Sequence, residues 1–258
     1  MLLLISPAKK LEFEEVAPDI GFSEPELIGK AEYIALIMKQ YSESDLKRLM
    51  KLSDNLARLN FERYRRWTTD TSEQRSKQAI LAFRGDVYAG MAATAFEQRD
   101  FDYAQAHLRI LSGLYGVLRP LDMIQPHRLE MGTRLKNRKG DNLYDYWRGE
   151  SASLINRDVE ISGGEIINLA SSEYFKSVDG MLDYPVVTPV FKDEKNGQYK
   201  IISIYAKKAR GMMCDFVIRN RLDRAEQLQD FSAAGYRFSE EGSDSGQLLF
   251  LRKESARP

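Results

Sequence analysis

The chain has 258 residues, 43% of them hydrophobic, enough for a sizeable core in one large domain or two small ones. Its 38 basic and 38 acidic side chains cancel to a net charge of +0, which excludes a uniformly basic polyanion coat and confines any nucleic-acid surface to a local patch. A single cysteine, Cys214, excludes an internal disulfide and a thiolate zinc centre, and leaves His107 and His127 as the only imidazoles.

The first apolar run, Leu2 to Ile5, is too short for a signal sequence and has no basic residue ahead of it. No later run approaches the roughly 20 apolar residues of a membrane span. The expectation is a soluble cytoplasmic protein with no membrane partner. Leu2–Ile5 reads as a short buried strand halted by Pro7. Residues 12–32 carry seven acids against one base, Lys30, and read as a solvated face.

Helical spacing then dominates, with Leu27, Ala31, Ile34 and Ile37 on one face. Ser42 and Asp45 form a capping box that opens a second helix through Leu46 and Met50. Leu56, Leu59 and Tyr64 continue the pattern to Trp67. Gln78 to Phe83 is expected to be a strand, and Asp102 to Leu111 a helix. In the second half, residues 142–156 read as helix and Ile166–Ala170 as strand. Val186–Phe191 and Lys200–Tyr205 flank Asn196-Gly197, a strong hairpin signal. Ala206–Asn220 reads as helix and Gln247–Leu251 as a closing strand. No repeat, linker or charge block divides the chain, so the expected fold is one mixed α/β (α+β) domain over 1–258, a central mixed sheet with surrounding helices.

The richest segment for chemistry is Tyr205 to Met213, with Lys207, Lys208 and Arg210. If a helix starts there, basic residues in its first turn oppose the helix dipole at a cost of roughly 0.3–1 kcal/mol each. Either an anion sits among them or the side chains reach to solvent, and the sequence leaves both open. Residues 192–224 hold nine bases and four acids, and residues 119–139 hold six bases and two acids. If the two segments meet, they form a cationic groove. Leu111 to Pro120 places Gly113 and Gly116 in an apolar run, a turn whose N–H groups can face a phosphate and which resembles the hairpin of helix-hairpin-helix modules. Ser6-Pro7-Ala8-Lys9 and Ser172-Glu173-Tyr174-Phe175-Lys176 each follow a strand, where α/β folds place ligands.

No phosphate loop, nucleophile elbow or paired-histidine metalloprotease motif is present. Cys214 falls in an apolar helical stretch and reads as an inert buried thiol. His107 reads as structural, and His127 beside Arg128 resists protonation.

Taken together, Ser6-Pro7-Ala8-Lys9, Ser53-Asp54, Gly85-Asp86-Val87-Tyr88, Leu111 to Asp122, Arg128-Leu129-Glu130-Met131-Gly132, Asn168 to Lys176 and Val190 to Gly211 resemble the YaaA family across essentially the whole chain. The resemblance implies resistance to hydrogen peroxide, limitation of free intracellular iron, a positively charged cleft, DNA as partner and a helix-hairpin-helix-like element. It brings no catalytic residue and no cofactor. It makes Gly113 and Gly116 the hairpin candidates, and Lys9, Arg119, Arg128, Lys176, Lys207, Lys208 and Arg210 the DNA- or anion-binding candidates. Asp215, where a basic residue is expected, and His127, in place of a more usual tyrosine, depart from the pattern. The alternative is an enzyme on a phosphorylated or carboxylated small molecule held by the same cations, with Tyr174 or Lys207 near the chemistry. Direct iron binding is the weakest reading, since two histidines and scattered carboxylates do not make an iron site.

Overall fold

The computed structural model describes residues 1–15, 19–72 and 74–257. β1 (Leu2–Ile5) is fully buried and pairs in parallel on both sides, which is why all its residues are apolar. β2 (Lys10–Leu11) follows, then α1 (Ile28–Lys39), α2 (Glu43–Met50) and α3 (Asp54–Arg66). The capping box of α2 is in place. Ser42 Oγ accepts from the Asp45 N–H at 3.2 Å, and the Asp45 carboxylate accepts from the Ser42 N–H at 3.1 Å.

The expected strand over 78–83 is three pieces: β3 (Lys77–Gln78), the single turn α4 (Ala79–Ala82) and β4 (Phe83–Arg84). Tertiary hydrogen bonds override strand propensity here, because the Ala79 and Ile80 N–H groups donate to the Asp122 and Pro120 carbonyls. α5 (Asp86–Met91) and α6 (Gln98–His107) come next. The helix expected to reach Leu111 stops at His107, and Leu108–Ser112 forms the inner strand β5. All five residues of β5 are buried, Arg109 included, and so short a run carries no period that separates strand from helix.

β6 (Gly116–Leu118) returns antiparallel to β5, and β7 (Met123–Ile124) pairs with β3. α7 (Leu143–Ser162) is capped by Asn142, which accepts from the Asp145 N–H at 3.0 Å, and ends at left-handed Gly163. β8 (Ile166–Asn168), α8 (Ser172–Phe175), β9 (Val186–Lys195) and β10 (Gln198–Lys200) follow. The β9–β10 hairpin turns at Asn196 and Gly197, both at positive φ as a two-residue primed turn requires. α9 (Ser203–Asn220) begins earlier than expected and takes over the segment read as the end of a strand. β11 (Arg237–Ser239) and β12 (Gln247–Arg252) close the sheet.

The main sheet runs β11-β12-β9-β8-β1-β5-β6, with β10 paired to β9. It is mixed: β1, β5, β8, β9 and β12 pair in parallel, while β6, β10 and β11 pair antiparallel. From β1 the chain goes first to β5 on one side and later to β8 on the other, so the strand order reverses around β1. α5 and α9 pack with their backbones in close approach. A Cβ on Gly211 would be driven into the Val87 carbonyl, and one on Gly90 into the Lys208 carbonyl. This interlock fixes where α9 presents its side chains.

Candidate functional site

A cleft of about 580 Å³ opens beyond the carboxyl ends of β1 and β8. Its floor is a hydroxyl pair. The Ser171 N–H donates to Ser6 Oγ at 2.9 Å, and Ser6 Oγ donates to Ser171 Oγ at 3.3 Å. One wall is the start of α5, where the Tyr88 hydroxyl donates to the Ser6 carbonyl at 3.2 Å. α9, packed directly against α5, supplies exposed Lys207 and half-buried Arg210 to the lining. Five basic side chains (Lys9, Lys10, Arg84, Lys207, Arg210) and three acids (Asp86, Glu130, Glu173) line the space.

Two of these cations already have partners. Lys9 lies 3.2 Å from Glu130, and Arg84 lies 2.6 Å from Glu15. Arg210 differs: burial alone pulls its guanidinium below the ordinary arginine value, and among the described residues no carboxylate offsets that pull. A guanidinium does not deprotonate in a protein, so Arg210 is a desolvated cation in the cleft lining with no paired counter-charge among the described residues. Tyr174, on α8, is a buried residue of the lining, and burial first, then Glu173 and Glu130, pushes its hydroxyl far above the usual tyrosine range. It is a neutral donor rather than a base.

The structure brings together only part of the expected set. Lys9, Lys207 and Arg210 line the cleft. Arg128 borders it from an adjoining small recess that shares Lys9, Glu130 and Tyr174, and donates to Glu130 at 3.0 and 3.1 Å. Lys208 is exposed, outside the lining of the cleft. Lys176 sits past the end of α8 with its ammonium 5.1 Å from the centre of the Tyr144 ring. Arg119 is a structural clamp, bonded to Asp122 at 2.9 Å and to the Glu24 carbonyl at 2.8 Å.

The hairpin reading is corrected. Gly113 lies in the turn between the antiparallel strands β5 and β6 and Gly116 is the first residue of β6, so neither lies between two helices. Both are buried: a Cβ on Gly113 would strike the Leu129 carbonyl, and one on Gly116, at φ +74°, would lie 2.6 Å from the Trp147 ring. Close packing against the Leu129 carbonyl and the Trp147 ring accounts for the two glycines. The dipole argument for α9 is also corrected, because the helix starts at Ser203 and Lys207 falls beyond its first turn.

Asp86, Tyr88 and Glu130 also line the cleft; they stand in segments that carry the family resemblance, but none of them stands out in the sequence as a binding candidate. His127 is enclosed by Phe83 and Tyr115 with Nδ1 2.8 Å from the Gln125 carbonyl, and burial pulls its pKa down to about 4. Cys214 is buried and its thiol is pushed well above the usual range by that burial. Among the described residues, no three or more His, Cys, Asp or Glu side chains gather in a group able to hold a metal ion, and no helix is long and apolar enough to cross a membrane.

The model of the peroxide stress protein YaaA family matches residues 1–242. The chain belongs to that family. Its role therefore lies in the peroxide stress response. The match covers every cleft residue described above and ends between β11 and β12.

Proposed function

We propose that residues 1–258 act as one cytoplasmic domain that binds DNA through this cleft, protecting DNA and limiting free iron during peroxide stress. The observation that carries the reading is Arg210, a desolvated guanidinium in the cleft lining that no carboxylate among the described residues pairs with. A backbone phosphate would supply the missing charge and accept its hydrogen bonds. Exposed Lys207, with Lys9 and Arg128 around Glu130, extends the same surface. The part concerning iron comes from the family resemblance.

Two neighbouring lysines give the test. Lys207 lines the cleft and Lys208 does not. Lys207→Glu is expected to weaken duplex DNA binding at least about tenfold in a gel-shift titration at low salt, since it removes one phosphate contact and adds a repulsive charge. Lys208→Glu is expected to act only through long-range charge, by a few-fold at most. Equal losses from both, or no DNA binding by the unaltered chain, would sink the reading.

A second reading has its own support. The cleft lies where the strand order reverses around β1, the position at which α/β sheets bind small ligands, and 580 Å³ falls within the range of about 300–1,000 Å³ usual for such sites. An anionic small molecule would then meet Arg210 and Lys207, with Tyr174 as neutral donor. Thermal-shift measurement with nucleotides and carboxylic acids tests this, and a flat response throughout would count against it.

A further inference from the structure

On another part of the surface, β2 and the turn after it face the C-terminal half of α3 across a groove of about 920 Å³. Arg63, Arg65, Arg66 and Arg75 reach it, as do Glu12, Glu14 and Glu62. Most of these charges are accounted for. Glu12 accepts from the Glu14 N–H at 2.6 Å, Glu62 faces Arg58 at 3.6 Å, Arg75 faces Asp70 at 3.7 Å, and Arg65 lies over the Phe61 ring at 5.4 Å.

Arg63 is not. It is half-buried, and among the described residues no carboxylate pairs with it. Burial is the main influence on its guanidinium; neighbouring Tyr64 offsets part of it, and the positive charge of Arg128 acts in the same unfavourable direction as burial. A cation withdrawn from water beside another cation is stabilised by an anion from outside. The rest of the lining says what kind. Leu11, Phe13, Leu59 and Pro126 offer an apolar face, and Thr68 and Gln74 offer polar groups. Three glutamates among four arginines would repel a long run of phosphates, but they suit one anionic head on a body with hydrogen-bond donors.

We infer that this groove is a second ligand site, which takes the phosphate ester of a small molecule of nucleotide size, its phosphate on Arg63 and its ring against Phe13 and Leu59. The groove shares no lining residue with the cleft and does not depend on the reading given to that cleft. Arg63→Ala is expected to fold, because it removes an unpaired cation rather than half of an ion pair.

Calorimetric titration of the full chain with AMP, ADP, inorganic phosphate and adenosine tests the inference. AMP or ADP is expected to bind saturably, adenosine to bind at least about tenfold more weakly, and Arg63→Ala to lose at least about tenfold in affinity, with partial recovery in Arg63→Lys. Hydrogen exchange is expected to show AMP protecting residues 11–14 and 59–68. The inference is overturned if no phosphate ester binds saturably, if Arg63→Ala binds as well as the unaltered chain, or if protection falls on residues 6–10 and 171–174 instead. Tighter binding of a 5′-phosphorylated oligonucleotide than of AMP would also overturn it, by assigning the phosphate to a nucleic-acid end.

Discussion

The ammonium of Lys9 lies 3.2 Å from Oε1 of Glu130, and the same oxygen accepts from Arg128 at 3.0 Å. One carboxylate therefore ties the segment after β1 to the basic segment 119–139 and neutralises part of both. Glu130→Gln removes that charge and leaves two cations at the edge of the cleft. If the cleft holds DNA, the variant binds more tightly, and its plot of log affinity against log salt steepens by about 1 to 2. Fluorescence anisotropy across a salt series reads the slope, and an unchanged slope would remove Lys9 and Arg128 from the DNA surface.

The α5–α9 interlock makes a stability prediction that is independent of any ligand. Gly211→Ala forces a methyl group into the Val87 carbonyl and is expected to cost about 1–3 kcal/mol or more. Gly149, inside α7, has open space where its Cβ would be, so Gly149→Ala is expected to stabilise by roughly 0.5–1 kcal/mol through helix propensity alone. Urea denaturation midpoints of the two variants should therefore move in opposite directions. A neutral Gly211→Ala would mean that the helices can separate at no cost.

How much of this was legible in sequence depends on whether the signal was local. Ser42 with Asp45 and Asn196 with Gly197 act through their own backbone, and both features stand where the residues put them. The basic segments 192–224 and 119–139 were visible as charge, and each delivers cations to the cleft or its edge. The nonlocal relationships were not visible. Leu108–Ser112 is a strand because β1 and β6 flank it, and Ala79–Ala82 coils because carbonyls near residue 120 accept its N–H groups. Nothing in the spacing around Arg119 reveals that Asp122 holds it away from the cleft. Nor does anything around Arg210 reveal that, among the described residues, no acid pairs with it. Partner choice is a property of the fold, and sequence shows only the side chains available.

His127 gives a pH signature. Its folded pKa of about 4 lies below the ordinary value near 6.5 that it regains on unfolding. Between those values the unfolded chain binds a proton that the folded chain does not, so stability is full above about pH 6.5 and falls as the pH drops, by about 1.4 kcal/mol per unit. Glu26 and Glu150, held low by hydrogen bonds from Arg157 and Lys30, add further loss below their own unfolded values near 4.3. His127→Asn is expected to flatten the slope between pH 6.5 and 4.5 while leaving the loss at lower pH. Denaturation series at several pH values would show it, and an unaltered slope would mean that the ring is already protonated in the folded chain.

Arg210 is the most direct point of attack on the cleft itself. The measurement is duplex DNA affinity as a function of potassium chloride concentration for the unaltered chain and for Arg210→Met, with thermal unfolding of both recorded without DNA. An anion site built on a desolvated guanidinium predicts weaker DNA binding and a salt slope shallower by about 1, with unfolding unchanged or shifted to higher temperature. DNA affinity and salt slope identical to those of the unaltered chain would contradict it, as would a large loss of stability without DNA, which would mark Arg210 as a structural residue of the protein.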